Sequence, residues 1–116
     1  MNNKDVRYEI KNNNSSLGIE ILDFDYNDIF DKKRIEELRN QWLKYSIIIF
    51  KNLELNHQQL EKFSLAFGDF GDDPYIHPII GHQNIIEVKR EANEKAQPFG
   101  CSWPSDWSFQ ESPPSA

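Results

Sequence analysis

Three patterns in this sequence of 116 residues predict an α+β fold. Two stretches, from Lys32 to about Tyr45 and from Asn56 to Phe67, repeat apolar residues at helical spacing behind side chains suited to cap a helix. Short runs around them alternate apolar and polar residues or are continuously β-branched, as strands require. The segments between these elements are rich in Asn, Ser, Gly, Asp and Pro, the residues of turns. The length suits one domain spanning residues 1–116, with residues 1–16 expected as a flexible start.

Taken in order, Tyr8-Glu9-Ile10 and Gly18 to Phe24 read as two short strands. The Asn- and Ser-rich segment Lys11 to Ser16 between them favours a hairpin against the rest of the domain. Asp31 is placed to cap the first helix, whose apolar stripe is Ile35, Leu38, Trp42 and Tyr45. Such a stripe is the mark of core packing. Ser46-Ile47-Ile48-Ile49-Phe50 then reads as a strand buried on both faces. Asn56 and Gln59 form a capping box for the second helix, with Leu60, Phe63 and Phe67 on its apolar face and Gly68 as the residue that ends it. Gly68 to Pro78 is a turn-rich acidic segment, Ile85 to Lys89 a further strand, and Arg90 to Phe99 a charged, mobile loop. The last strand is expected to open near Asp106.

Composition removes several classes of function. A net charge of −6 with only four Arg and scattered Lys argues against nucleic acid, whose phosphates must be neutralised by clustered cations. No apolar run approaches the length of a membrane span, and Met1 to Asp5 lacks the apolar core of a signal peptide, so a cytoplasmic protein is expected. Cys101 is the single cysteine, which precludes an intramolecular disulfide and a thiolate zinc site; beside Trp103 it is expected to be a small buried residue. Trp103, Trp107 and Phe109 are expected to pack in the core rather than to form one stacking platform. There is no Gly-rich phosphate loop and no nucleophile–histidine arrangement that would support hydrolysis.

The most distinctive stretch is Ser102-Trp103-Pro104-Ser105-Asp106-Trp107-Ser108-Phe109, followed by Pro113-Pro114. It resembles the metal-binding strand of the taurine dioxygenase-like (TauD/TfdA) family of Fe(II)- and 2-oxoglutarate-dependent oxygenases, which reads roughly Trp-His-Ser/Thr-Asp-x-Ser/Thr-Phe before a polar run and Pro-Pro. The resemblance extends over about Leu17 to Ala116, because the order helix, strand, helix ending in Phe67-Gly68 is similar to the N-terminal part of that family. It implies the N-terminal part of a double-stranded β-helix (jelly roll), with short strands, two flanking helices and an incomplete barrel. It also implies Fe(II) and 2-oxoglutarate as cofactors and a small organic acid as substrate.

On this resemblance Asp106 is the remnant of one iron ligand. Its partner histidine, two residues earlier on the same strand face, is replaced by Pro104, which has no donor atom. Tyr75-Ile76-His77-Pro78 resembles the family's His-Pro element, which makes His77 the candidate substrate contact; the tyrosine that helps in taurine-oxidising members is replaced by Ile80. His57 and His82 read as surface residues. The resemblance therefore implies a truncated family member, inactive as it stands. The alternatives are the N-terminal half of a split oxygenase completed by a C-terminal partner chain or oligomer, and a non-catalytic interaction module.

Overall fold

The computed structural model describes residues 10–11, 16–98, 100–104 and 107–113. Tyr8 and Glu9 of the first expected strand, most of the expected flexible start and Asp106 lie outside them. The chain divides into two compact units, Met1–Gly68 and Asp69–Ala116.

The first unit is built on a three-stranded sheet in the order β1-β2-β3. Strand β1 (Ile10–Lys11) pairs antiparallel with β2 (Ile19–Ile21), the arrangement expected for the first two strands. Gly18 turns the chain into β2 at φ 81, a left-handed conformation that favours glycine. Alternation along β2 buries Ile19 and Ile21 on one face, while Glu20 reaches Lys51 at 3.5 Å from the other. A 3-10 turn (Tyr26–Phe30), which periodicity did not reveal, tucks Ile29 into the same core and leads through Asp31 into α1 (Lys32–Tyr45).

Helix α1 has the predicted limits for the predicted reason. The Asp31 carboxylate accepts a hydrogen bond from the Lys33 N–H at 2.9 Å, satisfying one of the free donors of the first turn. Ser46 ends the helix in a left-handed conformation (φ 66), its N–H donating to the Trp42 carbonyl at 2.7 Å. Leu38 is fully buried at 0% exposure, Ile35 and Tyr45 pack partly against the core, and the Trp42 ring meets Phe67 edge to face at 6.4 Å.

Strand β3 (Ile48–Phe50) lies parallel to β2, with Ile19 opposite Ile48 and Ile21 opposite Phe50. A parallel neighbour requires a long crossover, and α1 provides it. β3 forms the edge of its sheet and is not buried on both faces as expected: Ile48 and Phe50 are half-buried, but Ile49 is 47% exposed. The continuous apolar run concealed this position, because it lacks the alternation that marks a one-faced strand.

Helix α2 (His57–Phe67) carries the predicted capping box in full. Asn56 accepts from the Gln59 N–H at 2.9 Å, and Gln59 accepts from the Asn56 N–H at 3.0 Å. Phe63 and Phe67 face inward, but Leu60 is more exposed than its place on the apolar face suggested. Gly68 ends the helix in an extended conformation (φ 165) rather than a left-handed one, and the Phe67 carbonyl accepts a hydrogen bond from the Arg39 guanidinium. An aromatic nucleus of Phe24, Phe50 and Phe63, with ring centroids 5.1 to 6.1 Å apart and edges to faces, ties the end of β2, β3 and α2 together.

Among its described residues the second unit contains one hairpin, β4 (Pro78–Ile79) with β5 (His82–Ile86), turning at Ile80-Gly81. The strand expected at Ile85 to Lys89 thus begins three residues earlier, and Val88 is exposed beyond its end. The turn fixes that register, since Gly81 (φ 85) provides the left-handed position a two-residue connection needs. Pro78 is tolerated because it opens a strand. Residues 87–98 have no regular structure, so the loop expected from Arg90 begins at residue 87; within it Arg90 reaches the carbonyls of Glu94 (3.5 Å) and Ala96 (3.4 Å).

The expected strand near Asp106 is absent among the described residues. Residues 100–104 and 107–113 are turns and bends, with Cys101 N–H bonded to the Pro98 carbonyl at 3.2 Å and Gln110 N–H to the Trp107 carbonyl at 2.9 Å. Pro104 has no N–H to place in a ladder, and no described strand lies alongside. Two further expectations are corrected in this stretch. Cys101 is exposed, its thiol 3.5 Å from Gln97 Oε1, and Trp103 (101%) and Phe109 (62%) stand in solvent while Trp107 is half-buried. A segment without a ladder has no pleat to turn its aromatic side chains inward.

Candidate functional site

The residues that the sequence singled out for chemistry lie in the second unit, on two segments far apart in the chain. The first leads to His77. Asp73 Oδ1 accepts hydrogen bonds from the backbone N–H groups of Tyr75 (2.8 Å) and Ile76 (3.1 Å), forming an Asx-type turn that sets the direction of the chain. Pro78 then restricts the residue before it to extended conformations. His77 is therefore held between an anchored turn and the start of β4, with an exposed side chain.

The second segment follows the Trp103–Asp106 motif. Pro104 is exposed, and Asp106 lies outside the described residues. Trp107 has φ 48, a backbone conformation that costs a non-glycine residue about 1–2 kcal/mol. The turn is closed by the Gln110 N–H on the Trp107 carbonyl at 2.9 Å and by the Trp107 and Phe109 rings at 5.6 Å.

Two contacts join the segments. Gln110 Nε2 donates to the backbone carbonyl of Asp72 at 2.9 Å, across 38 residues of sequence. The rings of Tyr75 and Phe109 meet near edge to face at 6.0 Å. The structure thus brings the approach to His77 and the turn after the motif into one cluster. The contacts of Tyr75, Asp72 and Gln110 were not identified from the sequence, because the pairing is long-range.

The other histidines are elsewhere. His57 is exposed in the first turn of α2, as expected of a surface residue. His82 opens β5 and is half-buried opposite Ile79 rather than on the surface. Among the described residues no group of three or more His, Cys, Asp or Glu side chains is arranged to hold a metal ion. A facial triad needs two imidazoles and one carboxylate on one face of an octahedron. Pro104 offers no donor atom, so the described residues do not fit an Fe(II) centre of that type. No helix among them is long and apolar enough to cross a membrane.

Two comparisons bear on this arrangement. The family model described as "Taurine catabolism dioxygenase TauD, TfdA family" matches residues 8–116. The solved structure of a putative alpha-ketoglutarate-dependent taurine dioxygenase from Burkholderia xenovorans is similar, with a TM-score of 0.52 and 29% sequence identity. That similarity covers 65% of this chain and 26% of the other, so the matched region is about a quarter of the length of that protein.

Proposed function

The chain belongs to the taurine catabolism dioxygenase TauD, TfdA family, and on that premise we propose that it is the N-terminal portion of an Fe(II)- and 2-oxoglutarate-dependent oxygenase, inactive as it stands. In this reading the two helices and short strands flank the beginning of a jelly-roll barrel. Intact relatives would hydroxylate a small organic acid, and a cytoplasmic location belongs to the same reading.

One observation carries the proposal: the residue at 104 is a proline, where the family resemblance calls for a ligand histidine. In intact relatives the residues at this position would help hold Fe(II), which would supply binding of the 2-oxo acid and of O2. The protein's part is to hold the ion with donors fixed before it arrives. His-x-Asp on a strand meets that need because side chains two apart leave the same face. With Pro104, Asp106 is the remnant ligand, and a single carboxylate does not preorganise a site. His77, held by Pro78 and the Asp73 turn, is the residue assigned to substrate contact.

The test is calorimetric titration of the chain with Mn(II) and Fe(II), anaerobically, alongside a succinate assay with 2-oxoglutarate. No saturable binding and no succinate are expected. The variant Pro104→His should tighten Mn(II) binding by roughly tenfold or more, about 1.4 kcal/mol. Stoichiometric iron with turnover in the unaltered chain would overturn the proposal.

A second reading is favoured by the edge of the first unit. β3 ends the sheet with Ile49 exposed, and Ile47 beside it is also 47% exposed. Open strand edges with apolar side chains accept further pairing. A separate C-terminal chain completing the barrel would use that edge, and co-expression of the two should then yield a soluble complex. A pair that fails to co-purify removes this reading.

A further inference from the structure

The cluster in the second unit has one polar contact that no motif explains. Gln110 Nε2 spends its N–H on a backbone carbonyl 38 residues away, and that carbonyl belongs to Asp72, directly before the residue whose carboxylate turns the chain toward His77. Beside this hydrogen bond the Tyr75 ring rests against Phe109. Phe109 in turn contacts Trp107, the residue of positive φ that directly follows Asp106. Both contacts are largely exposed, so they bury little apolar surface and contribute little to a core. Their effect is geometric: each end of the clasp lies within five residues of a position assigned to chemistry, Asp106 at one end and His77 at the other.

We infer that Gln110, together with Tyr75, is a positioning residue that clasps the turn after the Trp103–Asp106 motif onto the segment leading to His77. The inference rests on the family reading of those two positions; the clasp itself rests only on the contacts. Strained, non-glycine left-handed residues persist where neighbouring contacts hold them, and they gather at functional sites. Trp107 is such a residue, with Phe109 and the Gln110 N–H holding it from the far side of the turn. A glutamine is suited to this task because its amide donates to a carbonyl without bringing a charge to the acidic segment of Asp69, Asp72 and Asp73.

The experiment uses the full chain and compares it with Gln110→Met, which keeps the length but loses the donor, and Gln110→Lys, which keeps a donor. Tyr75→Ala removes the ring, and Tyr75→Phe keeps it. Amide exchange at residues 72–76 and 107–110 should rise about fivefold in Gln110→Met, the worth of one net neutral hydrogen bond. Ring-to-ring NOEs between residues 75 and 109 should weaken with it. Gln110→Lys and Tyr75→Phe should stay near the parent, and exchange at residues 19–67 should not change. Unaltered exchange at 72–76 in both Gln110→Met and Tyr75→Ala would overturn the clasp.

Positioning, as distinct from local stability, is read in the Pro104→His background by titrating Mn(II). The ion should broaden the His77 imidazole signals, and adding Gln110→Met should reduce that broadening without changing Mn(II) affinity. Equal broadening with and without the Gln110 amide would overturn the positioning role. If Pro104→His binds no Mn(II), the family reading of the motif fails, and the positioning role falls with it. Exchange and NOEs still decide the clasp.

Discussion

Replacing Leu38 with alanine tests whether the first unit is held by the core described here. Leu38 is fully buried at 0% exposure, among Ile19, Ile21, Phe24 and Ile29. Shortening leucine to alanine removes about three methylene-sized groups at ~0.8 kcal/mol each, or about 2.4 kcal/mol of transfer free energy. Incomplete collapse around the site raises the expected loss to about 3–4 kcal/mol. A unit of this size has a stability of roughly 3–10 kcal/mol, taking ~0.05–0.15 kcal/mol per residue. The substitution therefore removes between a third and all of it. At an m-value near ~1 kcal/mol/M in urea, the midpoint should fall by about 3 M. Leu43, five residues further along the same helix and 73% exposed, is the control: Leu43→Ala should stay within about 0.5 kcal/mol of the parent. Urea titration followed by helical circular dichroism reads both variants, with amide exchange at residues 19–67 to assign the loss to this unit. A Leu38→Ala cost below about 1 kcal/mol, or equal costs for the two leucines, would refute the assigned helix phase and the core built on it.

Three further outcomes are expected. Asn56→Ala removes the side-chain acceptor of the Gln59 N–H, leaving the bond from the backbone N–H of residue 56 to Gln59 Oε1, and should cost about 0.5–2 kcal/mol; a thermal melt unchanged from the parent would contradict the cap. Gly18→Ala should cost about 1–2 kcal/mol from its left-handed backbone alone. Its added Cβ would meet Ile47 Cβ only at 3.9 Å, so a larger measured loss would point to a steric clash instead. Cys101 should react with an aromatic disulfide reagent in the folded chain about as fast as in urea, because its thiol is exposed; a strongly slowed reaction would return it to the core.

Much of the first unit was legible because its signals are local. Asp31 lies one residue before α1, and Asn56 and Gln59 lie within the first turn of α2, so the caps and the limits they set depend on hydrogen bonds that span three residues or fewer. The stripe ending at Tyr45 and the alternation of Ile19 and Ile21 report one face each, and those faces are the buried ones. That Pro104 stands where the family's histidine is expected follows from the resemblance of the Trp103–Asp106 stretch, which requires no tertiary contact. What escaped prediction depends on partners distant in the chain. Nothing local distinguishes a run of isoleucines at the centre of a sheet from one at its edge; the parallel pairing of β3 with β2 decided that. The turn at Ile80-Gly81 set the register of β5, and the absence of a described neighbouring strand left Trp103 and Cys101 in solvent. Sequence alone determined which segments coil and where they stop, because those depend on side-chain chemistry and near neighbours. Only the tertiary structure decided which strands pair and that Gln110 meets Asp72, because contacts across 38 residues exist only once the chain has folded.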